Sequence, residues 1–123
     1  MKTTTQIKQE IESAIHDGMA LDPKKFKDFR EYENARQKIR NNIKFMNNVK
    51  LYLESNPTRE FIVSEIARIE KIMAGLTDGF ELKLAAMRKT RNIDEKRLMA
   101  EFKREQGFTD MKKKVTFLKY ILS

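Results

Sequence analysis

The chain has 123 residues, about one ordinary domain, with 26 Lys and Arg against 18 Asp and Glu, a formal charge of +8 and 40% hydrophobic residues. It has no cysteine, which excludes a disulfide framework and a Cys-ligated zinc site. Purely apolar runs reach only four residues, as at 84–87, against the ~20 that a membrane-spanning helix needs, and 1–13 lacks the apolar core of a secretion signal; integral membrane association is not expected and a cytoplasmic location is.

The first predicted element is a helix within 1–21. It starts after the threonines at 3–5, carries Ile7, Ile11, Ala14 and Ile15 at 3.6-residue spacing, and is expected to end on Gly18 as a C-terminal cap. Asp22 followed by Pro23 reads as a new helix start, because the Asp side chain can accept from free backbone amides and Pro needs no amide partner at the first helical position. From there an apolar stripe runs through Phe26, Phe29, Tyr32, Ala35, Ile39, Ile43, Met46, Val49 and Leu53. Asn56 and Pro57 repeat the stop-and-start signal, and a second stripe follows with Ile62, Ile66, Ile69, Met73, Leu76, Phe80, Leu84 and Met87. That register passes unbroken through Gly75 and Gly79, so one continuous helix is expected despite the ~1 kcal/mol that each interior glycine costs.

Two long helices joined by so short a link predict an antiparallel, coiled-coil-like hairpin over 22–90 with its tip at 55–58. Shorter helices complete the expectation over 91–123: Asn92 and Glu95 read as a capping-box pair, Gly107 as a stop, and Thr109 as the cap of a last segment with Met111, Val115, Leu118 and Leu122. A strand remains the alternative for 115–122, which is rich in β-branched and aromatic residues. The predicted fold class is therefore all-α, one helical domain over 1–123, with shorter helices flanking the hairpin.

Charge is segregated along the chain. Three windows hold no Asp or Glu: 34–53 with Arg36, Lys38, Arg40, Lys44 and Lys50; 82–93 with Lys83, Arg88, Lys89 and Arg91; and 111–123 with Lys112, Lys113, Lys114 and Lys119. Together they carry +13, leaving −5 for the remainder. In the hairpin, Lys24, Lys25, Lys27 and Arg30 would meet Lys83, Arg88, Lys89 and Arg91 at the open end, a field that attracts polyanions. Asn34, Asn41, Asn42, Asn47 and Asn48 lie among the cations of the second helix, and Asn can bond an adenine edge or a phosphate. The candidate nucleic-acid-binding residues are thus Lys24, Lys25, Lys27, Arg30, Arg36, Arg40, Lys44, Arg88, Lys89, Arg91, Lys112 and Lys113. The competing reading is an ordinary solvated helix surface.

Other motifs carry less. A helix-turn-helix about Gly107 fails on register, since Lys103, Lys113 and Thr116 stand where small or apolar residues are required. His16, the only histidine, has Glu12 as its one helical neighbour of interest, too little for a metal site. Glu101 and Glu105 sit beside Lys103 and Arg104, which reads as a solvated face rather than an acid/base pair, and no Lys-Ser or Lys-Thr follows Gly75 and Gly79 as a phosphate loop would need. No cofactor, metal or catalytic residue is expected. Phe45, Leu51, Tyr52, Phe61 and Val63 lie off the stripes near the hairpin tip and are the candidate partner-binding residues, while the 111–122 segment is a basic amphipathic helix that closes its own core or docks on a partner. The expected function is non-enzymatic: an accessory protein acting on nucleic acid or on a complex that handles it, or else a protein-directed adaptor, inhibitor or assembly component. A homo-oligomer is a further expectation if the seam is closed between chains.

Overall fold

The computed structural model describes residues 1–123 and contains five helices and no strand: α1 (Thr4–Met19), α2 (Phe29–Glu54), α3 (Arg59–Arg88), α4 (Glu95–Glu105) and α5 (Phe108–Leu122). The fold is all-α, with two long helices of 26 and 30 residues flanked by shorter ones. The chain divides into two compact units, Met1–Pro57 and Thr58–Ser123. No helix is long and apolar enough to cross a membrane.

Helix starts are set by side chains that accept from otherwise unpaired amides. Thr3 and Gln6 form a reciprocal capping box on α1, Asp28 accepts from the Glu31 amide at 2.8 Å, and Thr58 accepts from the Phe61 amide at 3.1 Å. Asp22 and Pro23 open only a single 3₁₀ turn, Pro23–Lys25, and α2 begins six residues later than the proline signal implies. The reason is that Asp28 supplies a second cap directly before a run of uninterrupted helical spacing. On α4 the cap is Asp94, which accepts from the Arg97 amide, rather than Asn92. Thr109 is not a cap at all: α5 starts at Phe108, because Gly107 takes φ +69° and turns the chain in the left-handed region that glycine occupies without a Cβ penalty. The 115–122 segment is helical throughout.

In unit 1 the apolar stripe of α2 is closed by α1. The two run antiparallel, with Gly18 opposite Ile39 and residues 1–4 beside 53–57. Gly18 lies inside α1 rather than capping it; a Cβ there would meet Ile39 Cγ2 at 3.4 Å, so its smallness serves the close approach of the helices. Ile7, Ala14, Met46, Val49 and Leu53 are buried, while Phe29, expected on the stripe, is exposed in the first turn of α2.

In unit 2 α3 packs on α5 and α4. It is continuous through Gly75 and Gly79, as its register predicts. Phe80 stacks on Phe102 with near-parallel rings 4.1 Å apart, and Phe102 tilts against buried Phe108. Ile62, Ile69, Leu84, Val115, Leu118 and Ile121 complete the core. No buried side-chain polar atom lacks a partner.

Candidate nucleic-acid interface

The solvent side of α2 carries the sequence feature that stood out as charge. Helical spacing places Arg30, Gln37, Asn41, Lys44 and Asn48 along the ridge opposite the α1-facing stripe, with Arg40 on its flank toward the α1 side, and all six are exposed. From Arg30 to Asn48 the ridge spans ~27 Å at 1.5 Å per residue. No acid occurs on α2 between 34 and 53; Glu33 is the one carboxylate on the ridge. Glu33 is engaged by Arg36 at 2.9 Å, and the Arg36 guanidinium also sits over the Tyr32 ring, so Arg36 is the cation of this helix least available to an outside anion. Arg30, Arg40 and Lys44 make no ion pair. The Gln37 amide donates to Asn41 Oδ1 at 2.9 Å, which fixes the orientation of two ridge amides.

The remaining unit 1 candidates precede this ridge. Lys24 and Lys25 are exposed in the 3₁₀ turn, where Asp22 accepts from the Lys24 amide, and Lys27 is exposed in the segment leading into α2, its amide donating to Glu31. The four cations Lys24, Lys25, Lys27 and Arg30 therefore fall within seven residues at the start of α2, with Asp22, Asp28 and Glu31 among them.

The unit 2 candidates are more scattered. Arg88 is held by a bidentate contact to Glu95, whose carboxyl is kept below the usual carboxylate range first of all by the hydrogen bond from Arg88. Lys89 closes α3 and Arg91 follows in the link, beside Asp94, Arg97 and Glu101 around a shallow depression of about 260 Å3. Lys112 and Lys113 are exposed in the first half of α5, near Asp110. Of the candidate partner-binding residues, Leu51, Phe61 and Val63 are exposed, whereas Phe45 and Tyr52 are half-buried.

Two features were not anticipated. Ile15, expected in the α1 core, is 46% exposed, and Met19 beside it is 81% exposed. The signal was present, since Ala14 and Ile15 are adjacent and only one of two neighbours can face α2 squarely. Glu12 and His16 are exposed on α1, and no group of three His, Asp or Glu side chains is placed to hold a metal ion. No protein-family model, curated protein or solved structure matches the chain.

Proposed function

We propose that this protein is a non-enzymatic accessory factor that binds nucleic acid through the outer ridge of α2. The observation that carries the reading is the pair of exposed, unpaired cations Arg30 and Lys44 interleaved with Gln37, Asn41 and Asn48 on one helix side, with unpaired Arg40 at its flank. An α-helix fits a duplex major groove ~12 Å wide, where amide side chains can bond base edges while flanking cations meet phosphates. Such binding is driven by counterion release, so affinity falls steeply with salt, by a log–log slope of roughly 0.9 per phosphate neutralised on duplex DNA. Fluorescence anisotropy with single-stranded and duplex DNA and RNA across salt tests it. Arg30→Glu with Lys44→Glu is expected to weaken binding by more than about tenfold and to flatten the salt slope by about two. No binding to any of the four at low salt sinks the reading.

The adaptor reading is favoured by a different observation, the exposure of Phe61, Val63 and Leu82 on α3 and Leu51 on α2. In that case the same charge reversal on α2 leaves capture of the partner protein intact.

A further inference from the structure

The exposed edge of unit 1 is not random surface. Between the C-terminal half of α1 and the middle of α2 lies an open groove of about 210 Å3, its apolar walls made by Ile15, Met19, Ile39 and Ile43 and its α2 rim by Arg36 and Arg40. On α1 the residues Glu12, Ile15 and Met19 follow at steps of three and four, forming one ridge beside that groove. Glu12 makes no ion pair within the chain, and neither does Arg40. An apolar ridge led by an unpaired acid therefore runs beside an apolar groove rimmed by an unpaired base.

We propose that this edge pairs with the same edge of a second copy of the chain, α1 against α1 about a two-fold axis near residue 16. The registers agree with that geometry. Because Gly18 faces Ile39 within one copy, α1 and α2 positions summing to about 57 lie level. In an antiparallel α1 pair centred near 16, Glu12 comes level with position 20 of the second copy, whose α2 neighbour is 37, between Arg36 and Arg40. Ile15 and Met19 of each chain then enter the groove of the other while Glu12 meets the arginine rim. An isologous contact makes each of these interactions twice, and the flexible Met19 side chain adapts to an apolar groove without demanding one geometry. A contact of one helix edge falls short of the ~1,200 Å2 of a stable interface, so the dimer is a weak one.

The proposal does not rest on nucleic-acid binding and is tested without it, by sedimentation equilibrium of the full chain from about 10 μM to about 1 mM, spanning the range in which weak interfaces populate. The weight-average mass is expected to rise from 14.6 kDa toward twice that value. Met19→Glu, at an exposed position that leaves the core untouched, is expected to hold the monomer mass at every concentration. Glu12→Arg and Arg40→Glu are each expected to weaken dimerisation severalfold, and the two together to restore it. A monomer throughout, a dimer indifferent to Met19→Glu, or a charge swap that fails to restore association overturns the proposal, with circular dichroism of each variant confirming the fold.

Discussion

Units 1 and 2 spend their charges differently. Unit 1 holds eleven Lys and Arg against eight Asp and Glu, unit 2 fifteen against ten, so by net charge unit 2 is the more basic. Yet unit 2 ties cations to its own acids at Glu65–Arg68, Arg88–Glu95, Arg97–Glu101 and Glu70–Lys119, the last of these joining α3 to α5. Unit 1 forms two pairs, Lys2–Glu10 and Glu33–Arg36, and leaves Arg30 and Lys44 unpaired on the outer ridge of α2 with Arg40 unpaired at its flank. The lesson is that the bulk charge, and even the acid-free windows, rank the surfaces less well than the pairing does: Arg88 and Arg36 belong to such windows but are already engaged.

The core offers the largest break of this comparison. Ile7 is fully buried in unit 1 and Leu118 in unit 2. Truncating either to Ala is expected to cost about 2–5 kcal/mol, and native-state hydrogen exchange should show protection lost first in α1 and α2 for Ile7→Ala and first in α3 and α5 for Leu118→Ala. Loss spread evenly over both units in both variants would mean that the division has no energetic counterpart. Next in size is the ridge itself. Reversing Lys112 and Lys113 is expected to change nucleic-acid affinity less than reversing Arg30 and Lys44, because α5 carries no run of exposed amides between its cations as the α2 ridge does; an equal loss would mean that α5 also binds.

Legibility followed the range of the forces involved. Helix existence was readable because the 3.6-residue period of residues such as Ile62, Ile66 and Ile69 reports a buried face directly, and α3 runs through Gly75 and Gly79 as that register requires. Starts were less readable where two caps compete: Asp22-Pro23 and Asp28 are both valid signals, and α2 starts from the second, with Phe26 and Tyr32 meeting edge to face over the turn between them. What closes each stripe was not readable, because an apolar face specifies that it is covered but not by which helix; α1 covers α2, and α4 with α5 covers α3. The candidate cations were all found by composition, but their availability depends on side-chain pairing, to which Lys and Arg counts are blind.

The glycines give a smaller, oppositely signed test within unit 2. A Cβ at Gly75 or Gly79 would meet nothing within 4 Å, and neither residue has a positive φ, so each change to Ala is expected to stabilise by about 1 kcal/mol in urea unfolding. Gly107→Ala should destabilise by a similar ~1 kcal/mol, since its φ of +69° is costly for any residue with a Cβ. Asp28→Ala removes the α2 cap for about 1 kcal/mol, and measures in unit 1 what a single helix start contributes. Should Gly75→Ala or Gly79→Ala instead destabilise, something outside the chain's own packing must need the bare backbone there.

Acid titration probes the smallest difference between the units. In unit 2 the hydrogen bonds from Arg88 and Arg68 hold the carboxyls of Glu95 and Glu65 below the usual carboxylate range. A group whose folded pKa is depressed stabilises the fold above its unfolded pKa and loses that contribution as pH falls through the lowered value, so both pairs favour folding at neutral pH and fade only in acid. Both carboxyls are only partly buried and stay within reach of solvent screening, so the effect on unfolding is expected to be slight and to shrink further at high salt. Carboxyl NMR titration reads it site by site. Arg88→Gln should return Glu95 toward the usual range and leave Glu65 unmoved; if Glu95 titrates identically with and without Arg88, the pair is not formed in solution, and the contrast between self-neutralised and free cations loses one of its supports.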